Sequence, residues 1–225
     1  LARFLKGSLT VSGLRRAVNR AFGRVPPDLV HDKVLDQDAL EFLQDVMEHQ
    51  DDGVRVRYKR LGLSVDKGNR LKSQLIENGI LEEQEVKVGR TYKVLLRVTP
   101  GARAKFGLRK NLGRGSLAHE YWKRFYAAIL KEDGYHVELE APRKNGRVDV
   151  LARKGNESIA VEIETGKSDV VWNVKQSLLS RFSKVLVVAT DERALDKVER
   201  QLAKTGLIIP SRVNVVLRDQ FARTG

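Results

Sequence analysis

No cysteine occurs anywhere in the 225 residues, methionine appears once, and histidine four times. Without thiols there are neither disulfides nor thiolate-bound zinc to consider. The four histidines form no HExxH-like pair, which argues against zinc hydrolysis. Long apolar runs are missing as well: none approaches the roughly 18 residues of a membrane span, and no signal-peptide pattern opens the chain. These absences point to an intracellular, cytoplasmic protein with no membrane partner. The first residue is Leu1 rather than Met, as in a processed protein or a piece of a longer one. Neither an internal repeat nor a low-complexity tract is found, and the length allows about one to two domains.

What the chain has in excess is positive charge. Forty-two Lys and Arg face 29 Asp and Glu, giving a net charge of +13 and a pI near 10.0. Such a balance suits a polyanion, nucleic acid or an acidic membrane. Location narrows the choice. Arg103, Lys105, Arg109, Lys110 and Arg114 fall between Gly101 and Gly115 with no acidic residue among them. That segment reads as a connector able to lie along phosphates.

The most chemical stretch is Gly146-Arg147-Val148-Asp149-Val150-Leu151-Ala152, followed after a turn by Ile159-Ala160-Val161-Glu162-Ile163-Glu164-Thr165-Gly166-Lys167. Strand side chains alternate, so Asp149 looks away from Val148 and Val150, while Ala160, Glu162 and Glu164 share a side. A hairpin of the two would bring Asp149 to Glu162 and Glu164. Converging carboxylates repel unless a cation neutralises them, and hard oxygens suit Mg²⁺ or Mn²⁺. The alternative is an ordinary solvated hairpin face. Against it stand the later apolar strands Val185–Ala189 and Val213–Leu217 with helical segments between them, since a sheet covered by helices leaves little solvated face.

The order of these features, a helix bearing Glu120, then Asp149 on a strand, then Glu162-Ile163-Glu164 on the next, then a helix, resembles the PD-(D/E)XK nuclease superfamily over about residues 116–218. The resemblance implies a mixed sheet flanked by helices, Asp149 and Glu162 as metal ligands, and Glu120 as an auxiliary acid. It departs from the family at Glu164, where a lysine is usual. Lys167 or Lys175 is then expected to supply the missing cation, which puts Glu120, Asp149, Glu162, Glu164, Lys167 and Lys175 in the expected catalytic set.

The reaction implied is phosphodiester hydrolysis, with Mg²⁺ or Mn²⁺ lowering the pKa of water and clamping phosphate oxygens. In the expected helix Asp169–Phe182, Val171, Val174, Leu178 and Phe182 form the buried stripe, with Lys175 at its edge. Asn173 and Gln176 are polar neighbours within reach of nucleic acid or water. The opening helix carries Trp122, Phe125, Tyr126, Ile129 and Leu130 on one face, with Ser116 as its N-cap and Gly134 as its stop. His119 is read as a surface or capping residue.

Upstream, helices are expected over Asp38–Gln50 and Arg55–Leu61, and a third runs from its N-cap Ser64 to about Leu75. Asn78-Gly79 ends it, and a hairpin turning at Gly89-Arg90 follows. Helix, helix, helix, hairpin resembles the winged-helix arrangement, as do Leu75–Glu82 after the third helix and Thr99–Phe106 after the wing. Such a domain places its third helix in the major groove. Lys67, Asn69, Arg70, Lys72 and Ser73 would face the DNA there, with Lys87, Arg90 and Lys93 on the wing. The alternative is a protein–protein adaptor, which Glu82, Glu83 and Glu85 favour.

The fold class expected is therefore α/β: a basic helical extension over 1–36, a winged helix-turn-helix domain over 37–106, a connector over 107–115 and a nuclease-like domain over 116–225. The extension, with Leu5, Leu9, Leu14, Val18 and Phe22 against Arg15, Arg16, Arg20 and Arg24, reads as a DNA-binding arm, a dimerisation element or the tail of another domain. The function expected is metal-dependent DNA cleavage, with DNA as partner and a homodimer or larger DNA-processing assembly around it. Two alternatives are an inactive nuclease fold that only binds DNA, and an accessory module of a mobile-element or DNA-translocating machine.

Overall fold

The computed structural model describes residues 36–106, 108 and 115–220. The expected N-terminal basic helix and the connector cations Arg109, Lys110 and Arg114 lie outside the described residues. The chain is a mixed α/β protein that divides into two units, Leu1–Leu117 and Ala118–Gly225.

In the first unit Asp36 accepts the Ala39 N–H at 2.8 Å and starts α1, Gln37–Glu48. Ala39, Phe42, Leu43 and Val46 recur at i, i+3, i+4, i+7 and are buried, the spacing of an amphipathic helix. The short α2, Val54–Arg60, carries Arg57 into the interior with 0% exposure, where it pairs with Asp45 of α1 and donates to the His49 and Asp52 carbonyls. Arg60 closes the other side of Asp45 at 2.5 Å. Ser64 accepts the Lys67 N–H at 3.2 Å and starts α3, Val65–Glu77. α3 crosses α2 closely because Gly68 lies against the Tyr58 ring, where a Cβ would stand 2.6 Å from ring carbons.

Gly79 leaves α3 at φ +65, a conformation glycine adopts without penalty. The chain then runs as β1, Leu81–Val88, and antiparallel β2, Thr91–Val98, in register from Leu81↔Val98 to Val88↔Thr91. Thr99 caps the six-residue α4, Pro100–Lys105, and ties it to the Gly79 carbonyl at 2.7 Å. Leu40, Phe42, Leu71, Leu75, Leu81, Leu96 and Phe106 share one core. β1 is one continuous strand, because residues 82–85 pair across to 94–97 despite their charge.

The second unit opens with α5, Leu117–Glu132, whose Trp122, Tyr126 and Leu130 are buried. Its sheet has the order β3-β4-β5-β6-β7: β3 is His136–Pro142, β4 Arg147–Lys154, β5 Glu157–Glu164, β6 Lys184–Ala189 and β7 Val213–Leu217. The first three strands are antiparallel, and β5, β6 and β7 are parallel. Two residues, Gly155-Asn156, turn β4 into β5, with Gly155 at φ +56. A glycine in the first position of such a turn matches the strand twist.

α6, Val170–Leu179, and α7, Glu192–Lys204, supply the two crossovers that parallel strands require. Val170, Val174, Val198 and Leu202 of these helices pack with Val185, Val187 and Val213. α6 is shorter than expected: Ser180 caps it and Arg181 adopts φ +60. Phe182 is accordingly buried beyond the helix, with Ala141, Val148, Leu151 and Ala160.

Candidate functional site

The antiparallel β4–β5 pair sets the site. Carried one step past Val150↔Val161, its register puts Asp149 across from Glu162, with Glu164 two residues on along the same side. Asp149 Oδ2 accepts the Ile163 N–H at 2.8 Å and lies 3.2 Å from His119 Nε2. His119 Nδ1 stands 3.5 Å from Glu120 Oε1 in the first turn of α5. One turn later Lys123, buried at 2% exposure, places its ammonium 2.9 Å from Glu120 and 2.5 Å from Glu140 of β3. Arg124 lies 3.7 Å from Glu120 as well. Glu140 holds φ +51, uncommon for a residue with a side chain, and it lies between the paired residues Leu139 and Ala141, beside Asp149 on the neighbouring strand.

A second set of contacts surrounds Glu162. Arg143, from the turn between β3 and β4, reaches its carboxylate, and Ser177 of α6 donates to it at 2.8 Å. The same guanidinium donates to the Asn173 carbonyl at 3.0 Å and to Asn173 Oδ1 at 2.9 Å. Asn173 Nδ2 in turn donates to Glu164 Oε1 at 3.1 Å, and Ser168 donates to Glu164 Oε2. The turn is pinned further by Asn145 Nδ2 on Gln176 at 2.8 Å and by the Lys144 N–H on Ser180 at 3.0 Å.

These surroundings move the ionisation of several groups. Burial pushes the Glu162 carboxyl up, and the Arg143 charge and the Ser177 hydrogen bond oppose it while Asp149 and Glu164 reinforce it. Burial also raises Glu164, against the Ser168 and Asn173 donors. For His119 burial acts downward, but the hydrogen bond to Asp149 and the nearby Glu120 carboxylate, with their charges, outweigh it and carry the imidazole up to about 9. Lys123 is likewise lowered by burial and raised on balance by Glu120 and Glu140. His119 is therefore a cation at neutral pH, and protein cations already touch Asp149, Glu120, Glu140 and Glu162.

The carboxylates expected to converge do so, but not as a ready cage. Among the described residues no three His, Cys, Asp or Glu side chains stand together as ligands for one ion. Lys167, in the loop after β5, and Lys175, on α6, are both exposed. Of the expected stripe the helix buries Val174 and packs Val171 and Leu178 half-buried on the same core, and it buries Val170, Gln176 and Ser177 besides, which leaves Lys175 outward. Arg143 is the cation at Glu162, and Lys123 the one between Glu120 and Glu140. Neither was anticipated, and His119 is a bridge between two acids rather than a surface or capping residue. Asn173, Gln176 and Ser177 turn toward the sheet side of α6 while Lys175 faces out, and these uncharged polar residues among Val170, Val171, Val174, Leu178 and Leu179 were the available signal.

In the first unit Arg70 on α3 and Arg90 at the hairpin turn are exposed. Lys67 is held by Asp38 at 2.5 Å, and Lys72 by Glu83. Asn69 accepts the Tyr58 hydroxyl at 3.0 Å, and Lys93 donates to the Asp51 carbonyl at 3.3 Å. Lys67, Lys72 and Lys93, all expected on this face, thus have protein partners. Neither a protein-family model nor a curated protein matches the chain.

Proposed function

We propose that the chain is a DNA-binding protein in which a winged-helix unit serves a PD-(D/E)XK-type, metal-dependent nuclease unit. The observation that carries this reading is the set Asp149, Glu162 and Glu164 side by side on β4 and β5, with Glu120 of α5 linked to Asp149 through His119. The donor atoms are hard carboxylate oxygens, which fit Mg²⁺ or Mn²⁺. Mg²⁺ commonly takes one or two protein carboxylates and keeps several waters, so a three-ligand cage is not required. Asp149 and a carboxylate of β5 would hold the ion, with Glu120 as the auxiliary acid beside them, and the ion when bound would lower the pKa of water and draw charge from a phosphate.

The residues around it do the rest. Lys123 anchors Glu120 and Glu140. His119 holds its proton between Asp149 and Glu120 and keeps these two acids from repelling each other. Lys167 and Lys175, exposed as they are, would meet the phosphate backbone rather than the scissile bond. Arg70 and Arg90 would give the first unit its phosphate contacts, and α3 its approach to the groove.

A second reading has its own observation. Buried cations already neutralise Glu162 and Glu120, and Glu164 stands where a lysine is usual, as in a nuclease fold that binds DNA without cutting it. Incubation of the whole protein with plasmid, junction and single-stranded DNA in Mg²⁺ or Mn²⁺ separates the two. Cleavage that disappears in Asp149→Ala supports the nuclease. Tight DNA binding without cleavage in either metal supports the inactive form.

A further inference from the structure

The Arg143 guanidinium, 4% exposed, is committed on several sides: to Glu162, to Ser177 Oγ at 2.9 Å, and to both the carbonyl and the Oδ1 of Asn173. Those contacts join three elements, the β3–β4 turn, β5 and α6. They also have a directional consequence. An asparagine amide has one acceptor end and one donor end. Because Arg143 takes the Oδ1 end, Nδ2 must face the other way, and it meets Glu164 Oε1 at 3.1 Å. With Ser168 on Oε2, both oxygens of Glu164 are fixed by neutral donors, while Glu162 is fixed by a full positive charge.

The difference matters for any cation arriving at this end of the sheet. A carboxylate bonded to a hydroxyl and an amide keeps its charge uncompensated and keeps further lone pairs. A carboxylate paired with a buried guanidinium would have to break that pair, leaving Arg143 buried without its counter-ion, a large cost. We propose that Arg143 and Asn173 are positioning residues: Arg143 removes Glu162 from the ligand set and, through the Asn173 amide, orients Glu164 as the carboxylate that partners Asp149 on the ion. This rests on the metal-dependent reading above and reassigns which glutamate of Glu162-Ile163-Glu164 does the binding. The departure from a lysine at Glu164 then becomes an exchange of roles, with Arg143 providing the cation and Glu164 the ligand.

Mn²⁺ binding to the whole protein without DNA, followed by electron paramagnetic resonance or calorimetry, tests it apart from activity. Glu164→Gln is expected to abolish binding, as is Asp149→Asn. Asn173→Ala, at a half-buried position, is expected to weaken Mn²⁺ by about 10–100-fold, the usual effect of losing an outer partner of a ligand, with an unchanged far-ultraviolet circular dichroism spectrum and melting temperature. The charge-balanced double variant Arg143→Met with Glu162→Gln removes the pair together and is expected to bind Mn²⁺ far better than Glu164→Gln does. Loss of Mn²⁺ on Glu162→Gln with retention on Glu164→Gln would overturn the assignment and leave the metal-dependent reading standing. An unmutated protein that binds no Mn²⁺ would overturn both. Should the double variant fail to fold, Asn173→Ala alone decides, because undiminished binding there sinks the relay.

Discussion

His119 Nε2 lies 3.2 Å from Asp149 Oδ2 while its Nδ1 stands 3.5 Å from Glu120 Oε1, so one imidazole spans two acids from different elements. The pair of contacts explains why the ring is charged in spite of burial. It also fixes a pH dependence. The folded pKa of about 9 exceeds the ordinary 6.5, so the folded state binds this proton more tightly than the unfolded state. The stabilisation is complete below pH 6.5 and is lost as pH rises through 9, by about 3 kcal/mol in full. Glu162, whose carboxyl burial raises, acts in the same direction over its own range. Urea unfolding of the metal-free protein at pH 6 and pH 9.5 should show the loss, and His119→Asn should flatten it. A histidine resonance titrating near 9 that falls toward 6.5 in Asp149→Asn identifies the group. A midpoint near 6.5 in the unmutated protein refutes the bridge.

Asp45 and Arg57 make the corresponding commitment in the first unit. Arg57 is fully buried, and its guanidinium serves Asp45 and two carbonyls. Burial lowers its pKa, and the charge and hydrogen bond of Asp45 oppose that effect. Arg57→Met would leave Asp45 5% exposed with Arg60 alone and the His49 carbonyl without its donor. Breaking a buried pair from one side costs about 3–5 kcal/mol. Urea unfolding is expected to show a loss of that order, and Arg57→Lys should restore little of it because an ammonium cannot reproduce the planar fork.

Gly68→Ala tests the crossing of α2 and α3. Alanine is favoured over glycine inside a helix by up to about 1 kcal/mol, so a free site would gain stability. At residue 68 the new Cβ would stand 2.6 Å from the Tyr58 ring, which is buried at 3% exposure and hydrogen-bonded to Asn69. Overpacking of that kind costs about 1–3 kcal/mol, so a net loss is expected. The double variant with Tyr58→Leu should lose less than the two separate changes predict. A stabilised Gly68→Ala protein would show that the two helices do not cross this closely.

Much of the fold was legible because it follows from backbone periodicity and caps. Ser64 accepts the N–H three residues on, as expected, and Gly79, Gly89 and Gly155 turn where the apolar runs stop. Asp36 and Thr99 are caps of the same kind that were not anticipated. The strand parity of Asp149, Glu162 and Glu164 was legible for the same reason. What surrounds the carboxylates was not. Arg143 lies 19 residues from Glu162 and 30 from Asn173, and no local pattern marks a cation that a turn folds back into a sheet. Lys167 was attractive for its nearness in sequence and Lys175 for its place at the edge of the expected stripe. Lys123 was hidden in a different way, since one lysine on a helix with Lys131 and Arg124 looks like solvated surface until Glu140 arrives from β3.

The cations proposed to meet nucleic acid on the first unit divide into exposed and engaged ones, which makes a graded prediction. Arg70 and Arg90 are exposed, whereas Lys67 pairs with Asp38 and Lys72 with Glu83. A cation already neutralised by a carboxylate releases fewer DNA counterions when it meets a phosphate. Each phosphate contact contributes about 0.9 to the slope of log affinity against log salt. Arg70→Ala and Arg90→Ala are each expected to lower that slope by roughly 1 and to weaken binding across all DNA sequences alike. Lys67→Ala and Lys72→Ala should change it by clearly less, and Asp38→Ala, which frees Lys67, should raise affinity at low salt. Fluorescence anisotropy with one duplex at several salt concentrations measures all five variants. Equal slopes for the arginine variants and the unmutated protein would remove this face from DNA binding and favour a protein partner for the unit.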